Sequence, residues 1–367
     1  MAASTSSHLV GNLGFTKFDL TYASISSIHR RLFFMVPFSI LDLSPITQGS
    51  NASQALQNSR RLAQEAEAAG YKRFWLAEHH GMKGIASAAT SIVISHVAAG
   101  TKTIRVGSGG IMLPNHSPLV IAEQFGTLAA LYPGRIDLGL GRAPGTDMRT
   151  ASALRRNMEA SANNFPNDVV ELQALLGPAK EDQALIAVPG ADSNVPIWLL
   201  GSSHFSAHLA GMLGLPFAFA SHFAPDMLLS ALEIYRERFE PSQYLDQPHA
   251  MVGIMGVAAD TDDEANHLFT SMQQSFVALR RNARGQFPPP VQSMDGLWSE
   301  TEKIFVDHAM TYAVVGGPET IRTKLHRFLD QTQADELIVS MPIYDMDARL
   351  KSVRLFADAQ QKLANAA

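Results

Sequence analysis

The sequence contains no cysteine. That excludes disulfides, zinc–thiolate sites, iron–sulfur clusters and a cysteine nucleophile, and it suits a reducing, cytoplasmic compartment. It also lacks any surplus of positive charge. Lys and Arg total 29 against 34 Asp and Glu, a formal net charge of -5, and the pI is near 6.2. A general nucleic-acid binder needs a phosphate-neutralising excess, so none is expected as a partner. No uninterrupted apolar run reaches the length of about 18 residues that a membrane helix requires. No Gly-x-Gly-x-x-Gly fingerprint follows an early strand, no His-Glu-x-x-His helix is present, and there is no internal repeat.

What remains is a chain of 367 residues, 46% hydrophobic and 17% charged. That is enough to bury a sizeable core in one large domain. Residues 1–34 differ from the rest. They are rich in Ser and Thr, and their few charges are Lys17, Asp19, Arg30 and Arg31. A basic, acid-poor, Ser-rich leader resembles a transit peptide, with a plain upstream extension as the other reading. We expect this stretch to be poorly ordered and the fold, residues 35–367, to start at Met35.

After Met35, short apolar runs alternate with amphipathic segments. Strands are expected at 38–42, 74–77, 103–107, 135–140, 197–200, 217–220, 251–258 and 336–340. Helices follow each, several of them stopped by glycines such as Gly70, Gly100 and Gly214. Strict β/α alternation implies a parallel sheet. Eight such units predict an α/β fold of the (β/α)8 TIM-barrel type with insertions, and the missing phosphate fingerprint disfavours a doubly wound sheet.

In such a barrel the C-terminal ends of the strands share one mouth. Strand one ends at Asp42, strand two at Glu78, His79 and His80, and strand three at Ser108, Gly109 and Gly110. Strand four ends at Gly139, Gly141 and Arg142, strand five at Gly201, Ser202 and Ser203, with Ser206 one turn on, and strand six at His222. Glycines at 109, 110, 139, 141 and 201 would let a planar ring approach the backbone. Arg142 with Ser202, Ser203 and Ser206 suits a phosphate, through a charged fork, hydroxyls and helix N–H groups. Tight turns and helix caps account for the same residues singly. A metal is the other use of the histidines, but His79 and His80 are adjacent and point apart in an extended segment, so no metal is expected.

Several ordered motifs carry a family signature. They are Ala77-Glu78-His79-His80, Val106 to Pro114, His116-Ser117-Pro118, Glu123-Gln124-Phe125, Gly134 to Arg142 and Val315 to Glu319. Over about residues 36–363 the chain resembles the bacterial luciferase-like flavin monooxygenases, in a branch apart from the light-emitting subunits. The resemblance implies a barrel that uses reduced FMN and O2 to oxygenate a small organic substrate. It further implies a separate flavin reductase and a homodimer. His79 falls at a catalytic histidine of the family, the Gly109–Gly110 bond at a non-prolyl cis peptide against the flavin, and Arg142 and Ser202 at phosphate ligands. Glu78 and His222 join His79 as expected catalytic groups. Asp42, Ser108, Gly109, Gly110, Gly141, Arg142, Gly201, Ser202, Ser203 and Ser206 are expected around the cofactor. Two positions depart from luciferase α subunits: Gly141 replaces a cysteine and Gly201 a glutamate. Related barrels use the deazaflavin F420, and others are non-catalytic flavin-binding partners, so both remain alternatives. Residues 284–300, rich in Pro and Gly, fall at the family's mobile insertion, a lid.

Overall fold

The computed structural model describes residues 36–143, 148–154 and 162–365. The expectation for residues 1–34 lies outside them, and so does part of residues 145–176, where the sequence pattern predicts helix.

Nine parallel strands form the sheet: β1 (Phe38–Asp42), β2 (Arg73–Leu76), β3 (Arg105–Met112), β4 (Ile136–Gly141), β5 (Ile197–Gly201), β6 (Phe217–Phe219), β7 (Ala250–Ala258), β8 (Val314–Gly316) and β9 (Glu336–Ser340). Pairing runs β6-β5-β4-β3-β2-β1-β9-β7, and a β6–β7 ladder closes the ring. Eight strands therefore make a closed parallel barrel, the expected architecture. The ninth, β8, pairs only with the distal end of β7, at Gly256, Val257 and Ala258. Sequence reading placed no strand there, because three residues carry no periodicity. Strand β3 also runs on to Met112, past the expected end at Gly107.

The strands are buried on both faces, which is why they read as near-continuous apolar runs. Inward-facing Leu41, Trp75, Trp198, Ala218, Met251 and Ile338 form a barrel core. Their neighbours Ile40, Phe74, Leu76 and Leu199 point outward to the helical layer. The rings of Trp75 and Trp198 meet edge to face at 5.2 Å.

The helices are α1 (Ala52–Ala68), α2 (Thr90–Ala98), α3 (Pro118–Leu131), α4 (Met148–Leu154), α5 (Phe165–Leu176) and α6 (His204–Met212). After them come α7 (Leu228–Glu237), α8 (Asp262–Arg280), α9 (Glu300–Ala309), α10 (Pro318–Thr332) and α11 (Met346–Asn365). Local chemistry sets their ends. The Asn51 side chain accepts from the Gln54 N–H to start α1, and Gly70, at φ +83°, lets the chain leave it. Ser299 and Glu302 form a reciprocal capping box on α9.

The N-terminal end of the barrel is closed by buried charge. Arg73 bridges two strands' acids, with Nε 2.9 Å from Glu336 and Nη1 2.7 Å from Asp137. Lys72 adds a second bond to Glu336 at 3.1 Å, and the Trp75 indole N–H donates to Asp137 at 3.2 Å. Burial works to raise Glu336, but His249, Arg73 and Lys72 outweigh it and hold this carboxyl at about 2. Removing one partner of such a set strands the other charge. Arg73→Met is expected to lower unfolding free energy by about 3–5 kcal/mol, read by urea denaturation, with little change at the opposite, C-terminal mouth.

Candidate functional site

A cavity of about 770 Å³ opens at the C-terminal ends of the strands. Its wall is built strand by strand. β1 supplies Asp42, and the segment after β2 supplies His79. β3 supplies Gly109, Gly110 and Met112, and β4 supplies Gly141 and Arg142. β5 with the start of α6 supplies Gly201, Ser202, Ser203 and Ser206, and the segment after β6 supplies His222. Eleven of the thirteen expected site residues thus meet around one space; Glu78 and Ser108 do not line it.

The floor lies at β3. The Gly109–Gly110 peptide is cis, as the resemblance implies. The β3–β4 register shifts between Ser108 and Ile111, so β3 carries one extra residue there. Glycine is required here by the wall as much as by any ligand. A Cβ on Gly110 would stand 2.7 Å from the Gly139 carbonyl, and one on Gly109 2.7 Å from Leu41. On Gly139 it would overlap the Ser108 carbonyl, and on Gly201 the Ser206 hydroxyl. Gly139, expected to clear a ring, lies behind the lining. Ser108 is corrected in the same way. It is fully buried, and its hydroxyl donates to the Gly139 carbonyl at 2.8 Å and accepts the Gly139 N–H at 2.9 Å. It staples β3 to β4 and has nothing left to offer a cofactor.

The β4–β5 side forms a cationic, hydroxyl-rich pole. The Arg142 guanidinium stacks 4.0 Å from the Phe205 ring, which fixes its plane. Ser203 occupies the N-cap of α6 in extended geometry, yet its side chain makes no capping bond. The leading N–H groups of α6 and the three serine hydroxyls therefore face the cavity without a described protein acceptor or donor. That donor set fits a phosphate.

Asp42 also lines the cavity, but its carboxylate is spent within the protein. Arg349 Nη2 lies 2.7 Å from one oxygen and Ser59 Oγ 2.5 Å from the other. It contributes wall, with its charge compensated.

Glu78 is 1% exposed and faces away from the cavity. It accepts from His80 Nε2 at 2.7 Å, from His116 Nε2 at 2.9 Å and from the Met112 N–H at 3.1 Å. Burial pushes the Glu78 carboxyl up, but the His116 and His80 hydrogen bonds and the Met112 amide bring it down to about 2. Glu78 thus ties the segment after β2 to the end of β3 and orients the turn that carries His79. Among the described residues this trio could in principle hold a metal. The Glu78 oxygens stand at hydrogen-bond distance from both imidazoles, closer than the roughly 3.3 Å between ligands of a tetrahedral ion bound at 2.0–2.1 Å. His116 was quoted in a sequence motif but given no role there. It lies 38 residues from Glu78, and no local spacing joins the two.

His79 and His222 sit close enough to interact electrostatically. Burial first, and the His79 charge second, lower His222 to about 4. Its Nδ1 is shut off from solvent without a hydrogen-bond partner, beside Gly253, where a side chain would collide with it. An orphaned imidazole nitrogen in a cavity wall is a ready contact for a ligand.

Sequence reasoning missed the part of the wall that α8 contributes, Met272 and Phe276, while residues 283–288, at the start of the expected lid, cross the rim. This crossing is pinned: the Phe287 N–H donates to the Ile46 carbonyl at 2.8 Å, and the Gln48 N–H to the Phe287 carbonyl at 2.8 Å. Only the first part of the expected 284–300 lid reaches the cavity. Farther on, the Val291 N–H donates to Thr270 Oγ1 at 2.9 Å, and Met294 is buried against α8 and α9.

Comparison with known proteins gives the family and agrees with the fold. A family model described as luciferase-like monooxygenase matches residues 36–336. A luciferase-like monooxygenase of Escherichia coli (strain K12) is 55% identical over 89% of this chain and 98% of its own length. An N-acetyl-S-alkylcysteine monooxygenase of Bacillus subtilis (strain 168) is 32% identical over 89% of this chain and 98% of its own length. The crystal structure of apo-MsnO8 superposes with a TM-score of 0.79 at 34% identity, covering 89% of this chain and 98% of that one. At the level of fold alone, the oxygenating component of 3,6-diketocamphane monooxygenase from Pseudomonas putida, in complex with FMN, gives a TM-score of 0.65 at 19% identity, over 88% and 96% of the two chains. An F420-dependent secondary alcohol dehydrogenase gives 0.64 at 14%, over 88% and 98%.

The buried histidine generates a pH dependence. Unfolded, His222 takes up a proton near its ordinary 6.5; folded, it resists until about 4. The unfolded state therefore binds more protons between these values, and stability falls as pH drops from 6.5 toward 4. Glu78, held at about 2, adds its own loss only below its ordinary value of 4.5. Thermal unfolding should show a smaller decrease in Tm between pH 7.5 and 5 for His222→Gln than for the wild type. Equal decreases would remove His222 as the cause.

Proposed function

The chain belongs to the luciferase-like monooxygenase family, and from that premise we propose that it oxygenates a small organic substrate using O2 and reduced FMN delivered by a separate flavin reductase. One observation carries the cofactor reading: a single cavity joins a glycine floor on β3 to the Arg142–serine pole on β4 and β5. A flavin mononucleotide has a flat ring and one phosphate, and the cavity presents a place for each in that order. Reduced flavin, when bound, supplies the electrons with which O2 is activated.

The chain's own part is to bind, orient and shield. Arg142, Ser202, Ser203 and Ser206 would hold the phosphate. The Gly109–Gly110 backbone would offer bare wall to the ring. His79 lines the same cavity and would move a proton at its imidazole, a task imidazole chemistry suits. His222 stays neutral at pH 7 and presents Nδ1 as a hydrogen-bond partner. Glu78 acts through the segment that carries His79. Met272, Phe276 and Phe287 exclude water. A cytoplasmic homodimer is part of the same proposal.

Titration with FMN, reduced FMN and F420 separates the flavin and deazaflavin readings. Tighter binding of F420 than of either FMN form would overturn the proposal, and so would the absence of substrate-coupled oxygen uptake when FMN, a flavin reductase and NADH are supplied. Arg142→Ala is expected to weaken FMN binding by about 10- to 100-fold, the loss of a charge-assisted contact. His79→Ala should leave FMN binding within about twofold and reduce product formation by at least about 100-fold. Unchanged product yield in that variant would remove the proton-transfer role.

A further inference from the structure

Among the described residues, three arginines line the cavity: Arg142, Arg284 and Arg349. Arg349 is committed to Asp42 at 2.7 Å and to the Met341 carbonyl at 2.7 Å. Arg142 belongs to the pole on β4 and β5. Arg284 is different. It forms no hydrogen bond or ion pair among the described residues, although the chain carries more acids than bases. Asp42, already paired with Arg349, is the one acid in the lining.

The position of Arg284 is set by the crossing segment. Gly285 packs its carbonyl against Gly84, where even a Cβ has no room. Gln286 Nε2 reaches the Ser50 carbonyl at 3.2 Å, and Phe287 is hydrogen-bonded on both sides to the chain after β1. Residue 284 is thereby held over the loops that follow β1 and β2. Strand order puts β3 between that side and the Arg142–serine pole, so the two free guanidinium groups stand apart on the rim. The wall near Arg284 is largely apolar, with Met82, Ile85, Met272, Phe276 and Phe287.

FMN brings a single phosphate. Once Arg142 and the serines hold it, a second cation remains, beside an apolar wall and without a protein partner. We propose that Arg284 is a specificity residue that binds an anionic group on the organic substrate, and that the substrate is an apolar molecule bearing a carboxylate. The guanidinium fork matches a carboxylate in two hydrogen bonds, while the apolar side chains take the body of the molecule. The proposal rests on the flavin reading for the use of Arg142. The other source of the same chemistry is a second anionic group on a larger cofactor, such as the tail of a deazaflavin.

The test uses the full chain, FMN-free and FMN-saturated, titrated calorimetrically with octanoate and 4-phenylbutyrate and with the alcohols of the same carbon skeletons. The acids should bind about tenfold or more tightly than the alcohols. Arg284→Gln should abolish that preference and Arg284→Lys should keep part of it, both with FMN affinity within about twofold of wild type. Equal binding of acids and alcohols by the wild type would overturn the proposal, as would a preference that survives in Arg284→Gln. Loss of cofactor affinity in Arg284→Gln would assign the arginine to the cofactor and overturn it too. If the wild type binds no FMN, the flavin reading fails by that result alone, and the acid–alcohol comparison is still read on the FMN-free protein. Arg284 is exposed and unpaired, so these variants leave the fold intact.

Discussion

The approach of β3 to β4 is the constraint on which the site depends. At Gly107, Gly110 and Gly139 there is no room between the two strands for a single methyl group. Glycine at these positions lets the backbones meet, and the Ser108 hydroxyl locks them by bonding both polar groups of Gly139. The extra residue of β3 is accommodated within this contact, and it delivers the Gly109–Gly110 peptide to the cavity as bare backbone. A side chain anywhere in that seam would push β3 and β4 apart. It would also disturb the Met112 amide, which Glu78 grips at the strand's end.

Charge is divided along the barrel axis. At the N-terminal end, Arg73, Lys72 and Arg105 compensate the buried Glu336 and Asp137, and that set serves stability. At the mouth the balance is uneven. Asp42 is neutralised by Arg349, and Glu78 turns its charge toward His80 and His116 behind the wall. The open space is left with two arginines and two imidazoles, of which His222 is held neutral by burial, in a chain whose net charge is -5. This local inversion of sign favours an anion in the cavity, and the field is felt strongly where the remaining walls are apolar.

The rim is built by segments far apart in the chain. Residues 283–288 bond to the loop after β1, and Gly285 fits against Gly84 in the loop after β2. The crossing therefore couples the shielding of the cavity to the geometry of two strand ends. His222 occupies the far wall, its ring edge to face with Phe223 at 4.8 Å, and it is kept neutral by the same burial that shields the site.

Alternating apolar runs and amphipathic segments determined the barrel. Eight strand positions, their order and the shared mouth follow from local periodicity, because a strand buried on both faces has to be apolar along its length. The motifs also marked His79, Arg142 and the serines after β5, since strand ends carry chemistry in this architecture. Tertiary structure decided the rest. It turned Glu78 away from the cavity toward His116, which lies 38 positions on. It consumed the Ser108 hydroxyl in an interstrand bond and brought Arg284 over loops some 200 residues earlier in the chain. Hydrogen-bond partners and close packing are properties of distances between segments, and local pattern carries no record of which distant group arrives to satisfy a donor or fill a space.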